Sequence, residues 1–136
     1  MQSAPTMAEP VDLTLPFAAE SAHVARERLV TWMDGLSVDD EERDDARLVI
    51  SELVGNAVRH AQPLADGTVQ VAWAADANGL DISVTDGGAR TTPERVEAGV
   101  SDLSGRGLSI VETLARRWWV ETSRSRTTVH ALLVLP

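Results

Sequence analysis

Residues 52–60 read Glu-Leu-Val-Gly-Asn-Ala-Val-Arg-His, and this stretch constrains the fold more than any other. Glu52, Asn56 and His60 are spaced at i, i+4 and i+8, so on a helix their side chains form one polar stripe. The pattern predicts a helix with Asn56 and His60 on the rim between core and solvent. A carboxylate and an amide on one wall of a cleft suit a metal–nucleotide site, although an ordinary amphipathic helix with a polar edge would give the same stripe. The apolar arc beside the stripe consists of Ala46, Ile50, Leu53, Ala57 and Ala61.

The composition limits the kinds of protein that this chain can be. Its 136 residues suffice for one domain with a substantial core. Cysteine is absent, which excludes disulfides and thiolate metal sites. Lysine is also absent, which excludes a Walker-type phosphate loop and Schiff-base chemistry. The net charge of −9 argues against nucleic acid or an anionic membrane as a partner, and it implies that a nucleotide would arrive with a divalent cation.

No apolar run approaches the ~20 residues needed to span a bilayer, and no signal-peptide pattern opens the chain. We therefore expect a cytoplasmic protein.

The rest of the chain predicts a single domain, residues 11–136, that follows a disordered tail of residues 1–10. Alternating apolar residues indicate strands, and apolar residues at helical spacing indicate helices. The predicted fold class is α/β: a two-layer sandwich in which a mixed, mostly antiparallel sheet carries helices on one face. The predicted elements are a strand at 11–15, a helix at 21–34, a second helix that begins near 37–40 with a hydroxyl cap and ends near 62–63, strands at 68–75 and 80–84, a loop at 87–104 with a short helical turn at 93–99, a third helix that begins at 105–108, and a hairpin at 118–122 and 127–135.

Asp86 is the second candidate site residue. It lies two positions after Val84 and so continues the inward-facing row of the strand at 80–84. A carboxylate at the end of an apolar row could accept a hydrogen bond from a buried donor, such as the exocyclic amine of a base. Gly87 and Gly88 would then let the backbone approach that ligand closely. Asp-Gly-Gly is also a turn signature, and from the residues alone a turn is the more common explanation.

A Gly-x-Gly pair opens the third predicted helix. Gly105-Arg106-Gly107-Leu108 could present free backbone N–H groups to an anion, helped by the helix dipole. A dinucleotide-binding fingerprint is excluded because the third glycine, the preceding strand and the βαβ unit are all missing. Such a pair by itself is more often a plain loop.

Other candidate residues point to packing rather than to chemistry. His23, His60 and His130 are too scattered for a zinc pattern. We expect at least one of Trp118 and Trp119 to pack in the core. His130 is expected to be an exposed or hydrogen-bonded side chain rather than a ligand.

Three motifs occur in order and resemble a known family. Glu52-x-x-x-Asn56-x-x-x-His60 resembles the N box of Bergerat-type (GHKL) ATPases. Asp86-x-Gly88 resembles their first glycine box, and Gly105-x-Gly107-Leu108 resembles their second. The chain is most similar to the anti-sigma factor serine/threonine kinase branch, in its actinobacterial form. The resemblance covers almost all of the chain after residue 10.

The resemblance implies an ATP site with Mg²⁺. By residue match, Asn56 would hold the Mg²⁺ that bridges the phosphates, and Asp86 would accept a hydrogen bond from the adenine amino group. Gly88 would line the base pocket. Glu52 would act as the general base that deprotonates the incoming serine hydroxyl.

The second glycine box would bind the phosphates. Gly105 and Gly107 would contribute backbone N–H groups, with Arg106 and Leu108 in the same segment. His60, at the end of the N-box helix, would add positive charge near the phosphates.

The family's biology implies partners as well. The chain would phosphorylate a STAS-domain anti-sigma factor antagonist, sequester an alternative sigma factor and act as a homodimer in a partner-switching system. One alternative is an anti-sigma binding module that keeps the ATPase fold without catalysis. Another is the ATPase half of a sensor histidine kinase, although the chain is too short to hold the dimerisation helices and the phosphoacceptor histidine.

The chain departs from the family pattern at three places. Arg90 stands where many members have a further glycine, and residues 123–128 of the last hairpin contain none. The segment between the glycine boxes, residues 89–104, is short. These departures motivate the non-catalytic alternative.

Overall fold

The computed structural model of the chain describes residues 9–88 and 108–135. Its helices are α1 (Glu20–Met33), α2 (Asp40–His60) and α3 (Ser109–Leu114), and its strands are β1 (Val11–Pro16), β2 (Thr68–Asp76), β3 (Gly79–Asp86), β4 (Arg117–Ser123) and β5 (Arg126–Leu133). Residues 1–8 of the predicted tail, the predicted turn at 93–99 and the rest of 89–107 lie outside the described residues. Within the described ranges, no helix is both long and apolar enough to cross a membrane.

The five strands form one sheet in the order β1-β2-β3-β5-β4. All four pairings between the described strands are antiparallel. The predicted fold class is confirmed, and the described pairings lack the parallel component that a mixed sheet would have. Alternation along β3 shows how the two faces differ, because Leu80, Ile82 and Val84 are buried while the residues between them are half-buried.

Helix α2 covers the inner face of the sheet. It contacts β2, β3 and β5 and packs against α1. Its predicted apolar arc is buried as expected, and Ala46 and Ile50 are fully buried. Because the helices lie on one face, the core forms between α2 and the inner residues of the strands.

The start of α2 differs from the prediction in its cap. Asp39 caps the helix, not a hydroxyl group: its Oδ1 accepts from the backbone N–H of Glu42 at 2.9 Å. The backbone N–H of Asp39 donates in return to Glu42 Oε1 at 3.0 Å. This reciprocal capping box satisfies two backbone donors at the start of the helix, and Glu42 stands three residues after Asp39 as the motif requires.

Helix α1 turns one face toward the core. Its buried row begins at Ser21 and continues through Ala25 and Leu29 to Met33, and Ala22 packs half-buried against the core. The Ser21 hydroxyl donates to the Pro16 carbonyl at 2.6 Å, which satisfies it at its buried position.

The last hairpin places its two tryptophans on opposite faces. Trp118 packs against the core, as at least one of the pair was expected to do. Trp119 lies on the open face, where its ring stacks on His130 with a centroid separation of 4.7 Å.

Candidate functional site

The polar stripe of α2 lies at the edge of the core. Glu52 and His60 are half-buried, whereas Asn56 is buried with 6% of its surface exposed. Asn56 is therefore deeper than the rim position that the sequence predicts. A buried amide normally finds hydrogen-bond partners, because an unmet group costs roughly 1–3 kcal/mol.

The side-chain oxygen of Asn56 has no such partner among the described residues: Oδ1 is buried and accepts no hydrogen bond from them. In the same part of the chain, three other buried side-chain atoms share this lack of a partner, namely Arg26 Nε, Ser51 Oγ and Trp73 Nε1. Only Asn56 combines it with a carboxylate one helical turn away on the same face, that of Glu52.

Asp86 continues the inward row of β3, as the sequence predicts. It is buried, with 5% of its surface exposed. Its Oδ1 accepts from the backbone N–H of Gly88 at 2.7 Å, so the turn-capping role is real as well. Gly88 has a φ of +101°, a conformation that favours glycine. Asp86 therefore combines the two roles that the sequence offers as alternatives, the turn-capping carboxylate and the buried carboxylate.

Backbone hydrogen bonds join the end of α2 to the end of β3. The N–H of Gly87 donates to the Gln62 carbonyl at 2.7 Å, and the N–H of Gln62 donates to the Gly88 carbonyl at 2.9 Å. We call this pair of hydrogen bonds the Gln62–Gly88 bridge. It links the segment that follows Asn56 to the segment that follows Asp86, which draws the two buried polar residues to the same end of the molecule.

The second glycine box is only partly described. Gly105, Arg106 and Gly107 lie outside the described residues. Leu108 directly precedes α3, and its side chain is fully buried in the core. A phosphate contact by Leu108 would therefore use its backbone.

The sequence pattern did not indicate Thr127, and it indicated a different contact for Gly87. Thr127 of β5 is paired with Asp86 and is half-buried on the same face. The pairing of β3 with β5 places Thr127 beside Asp86, and predicting that pairing requires the order of the strands in the sheet. Gly87 was expected to allow a close approach to a ligand, and the structure shows a close approach to another part of the backbone, because a Cβ built on Gly87 would lie 2.1 Å from the Pro63 carbonyl oxygen. Its role depends on a contact 24 positions away along the chain, which no local pattern reports.

The donor set suits Mg²⁺ that arrives with a nucleotide. Mg²⁺ prefers oxygen ligands and takes one or two from protein when phosphates and water supply the rest. The amide oxygen of Asn56, which has no hydrogen-bond partner among the described residues, is an atom of the kind that Mg²⁺ prefers. Within the described ranges, no group of three or more His, Asp or Glu residues is arranged to hold a metal ion.

Comparisons with known proteins identify the family of the domain. The model of the histidine kinase-like ATPase domain family matches residues 15–132. A crystal structure of the RsbU and RsbW domains of Rv1364c from Mycobacterium tuberculosis is similar, with a TM-score of 0.69 and 27% sequence identity. The similarity covers 97% of this chain and 33% of that one, so this chain spans about a third of the length of that structure. A search of curated proteins found no match. The family match implies that the domain binds ATP, and the chain belongs to the histidine kinase-like ATPase domain family.

Proposed function

We propose that this chain is an anti-sigma factor and an ATP-dependent protein serine kinase. It phosphorylates a serine of a STAS-domain anti-sigma factor antagonist and sequesters an alternative sigma factor. The similarity to a structure that contains an RsbW domain supports this branch of the family. The observation that carries the proposal is the buried oxygen of Asn56, which has no partner within residues 9–88 and 108–135 and lies one turn from the half-buried carboxylate of Glu52.

Asn56 and Asp86 would bind the two ends of the nucleotide. Asp86 accepts a hydrogen bond from the adenine amino group, with Gly88 beside the base. Asn56 would hold Mg²⁺ through Oδ1, and a cation held there would offset the negative charge of the phosphates. That offset matters in a chain of net charge −9. Gly105, Gly107 and Leu108 supply backbone N–H groups to the phosphates, and Arg106 and His60 add positive charge.

Glu52 would act on the incoming serine. Its carboxylate accepts the hydroxyl proton while the serine oxygen forms a bond to the γ-phosphorus. The bond between that phosphorus and the β,γ-bridging oxygen breaks, and ADP leaves. Glu52 and Asn56 are one turn apart on α2, so the base and the metal ligand can serve the same phosphoryl group.

The first experiment tests the nucleotide site. We would titrate the protein with ATP, with and without Mg²⁺, beside an Asp86→Asn variant. The variant keeps an oxygen for the N–H of Gly88 but can turn an amide N–H toward the adenine amine, where two donors oppose each other. We expect magnesium-dependent binding that the variant weakens on the order of 100-fold. No binding by the wild type would contradict the nucleotide site and favour a binding module that keeps the fold alone.

The second experiment tests catalysis. Purified protein with Mg·ATP and a STAS-domain protein should transfer one phosphoryl group to a serine, detected by mass spectrometry. Glu52→Gln should abolish transfer and leave ATP binding intact, because the amide cannot accept the proton. Glu41→Gln is the matched control, since Glu41 is an exposed glutamate in the first turn of the same helix.

Each remaining outcome of the second experiment has a distinct meaning. Transfer at the wild-type rate by Glu52→Gln would refute the role of Glu52. ATP binding and partner binding without any transfer would support the non-catalytic anti-sigma module. Transfer to a receiver domain with phosphohistidine as the donor would indicate a sensor histidine kinase. Sedimentation of the purified protein tests the homodimer that the family resemblance implies.

A further inference from the structure

Gly87 occupies a position that no side chain can share. A Cβ on this residue would lie 2.1 Å from the Pro63 carbonyl oxygen and 3.1 Å from that of Gln62. These atoms belong to the backbone, so they cannot swing away as the end of a flexible side chain would. Its φ is not positive, unlike that of Gly88. The requirement for glycine at position 87 is therefore one of close approach and not of backbone conformation.

The close approach serves the Gln62–Gly88 bridge. Its two hydrogen bonds, at 2.7 and 2.9 Å, need the backbones of residues 62–63 and 87–88 to lie side by side. Asp86 directly precedes one segment, and Asn56 lies six residues before Gln62 at the end of α2. The bridge thus connects the backbone that carries the adenine-binding candidate to the helix that carries the metal-binding candidate.

We propose that Gly87 is a positioning residue for adenine recognition. The missing side chain lets the Gln62–Pro63 backbone hold Asp86 at a set place relative to Asn56. This inference rests on the proposed function, because it assumes that Asp86 accepts from the adenine amine. Recognition by a hydrogen bond depends steeply on placement, and a shift of about 1 Å can cost on the order of 100-fold.

The consequence is a change in selectivity and not only in affinity. A displaced Asp86 loses its bond to the amino group, whereas the contacts to ribose and phosphates are made elsewhere. The affinity for ATP should therefore fall toward that for purine riboside triphosphate, which differs from ATP only in lacking the 6-amino group. General loosening of the fold would lower both affinities together.

The test compares both nucleotides in wild type, Gly87→Ala and a matched control, Gly35→Ala. Gly35 lies in an exposed turn, its φ is not positive, and a Cβ there would lie at an ordinary contact distance of 3.5 Å from the Trp32 carbonyl oxygen. We expect the wild type and Gly35→Ala to prefer ATP by a similar factor. The preference of Gly87→Ala should fall at least fivefold, with circular dichroism confirming that all three proteins are folded.

A second variant covers the case in which Gly87→Ala fails to fold. Gln62→Pro removes the N–H donor of one bridge bond and adds nothing at position 87. It should lower the preference for ATP in the same direction by a smaller factor. An unchanged preference in a folded variant would overturn the role of Gly87 while the nucleotide site stands. No ATP binding by the wild type would overturn the nucleotide site and this inference together.

Discussion

Asn56 on the covered face of the sheet and His130 on the open face differ in how their polar atoms are satisfied. On the covered face, Asn56 Oδ1 is buried and has no partner among the described residues. On the open face, the side chain of His130 is 17% exposed, and each ring nitrogen lies 3.2 Å from a carboxylate oxygen, one of Asp81 and one of Glu121. Trp119 stacks on the same ring, and the Arg117 guanidinium lies over Trp119 at 4.8 Å.

This difference separates a site from a structural cluster. A polar group whose partners are all within the protein contributes to stability and has little left to offer a ligand. A buried group without a partner weakens the folded state until something binds to it. His130 matches the hydrogen-bonded role that the sequence suggests for it, while Asn56 retains an oxygen that a ligand can use.

The largest expected effect comes from replacing Asn56 with leucine, which has the same branching and the same number of side-chain heavy atoms. Asn56→Leu should lower Mg·ATP affinity on the order of 100-fold, because it removes the oxygen proposed for the metal. The free energy of unfolding without nucleotide should stay unchanged or rise by up to about 2 kcal/mol, since an unsatisfied polar atom leaves the core. Isothermal titration and urea denaturation measure the two quantities.

Ser51→Ala is the control for that variant. Ser51 Oγ is also buried without a partner on α2, but it is not on the face shared by Glu52 and Asn56. This change should leave Mg·ATP affinity unaltered. Equal losses of affinity in the two variants would mean that the covered face has no special site at Asn56.

A smaller effect is expected on the open face, and it should fall on stability alone. His130→Leu removes two contacts with carboxylates and the stacked partner of Trp119. The free energy of unfolding should fall by about 1–2 kcal/mol, while ATP affinity stays within twofold of the wild type. A clear loss of ATP affinity at equal folded fraction would contradict the assignment of His130 to stability alone.

The smallest effect is expected for the two carboxylates that contact His130 on the open face, and they should differ from each other. The Glu121 side chain is 67% exposed, whereas that of Asp81 is 41% exposed. Glu121→Gln should change the free energy of unfolding by less than about 0.5 kcal/mol, because solvent screens the exposed pair. Asp81→Asn should cost more in the same urea denaturation series, and the reverse order would contradict this account.

Much of the fold could be predicted from local pattern. The apolar arc of α2 and the alternation of Leu80, Ile82 and Val84 follow from residue spacing, which is set by backbone geometry. The burial of Asp86 followed from the same alternation. The cap at Asp39 did not, because Ser37 and Asp39 are both good capping residues and only the reciprocal bond to Glu42 selects one.

Residue pattern alone predicted the described helices and strands, the faces that they bury and the polar stripe from Glu52 to His60. These follow from interactions within a few residues along the chain. Three features depend instead on the folded chain: Asn56 is buried without a partner among the described residues, Thr127 lies beside Asp86, and Gly87 meets the Pro63 carbonyl. Those outcomes depend on strand order and on contacts between distant segments, where close packing leaves room for one arrangement that no local pattern encodes.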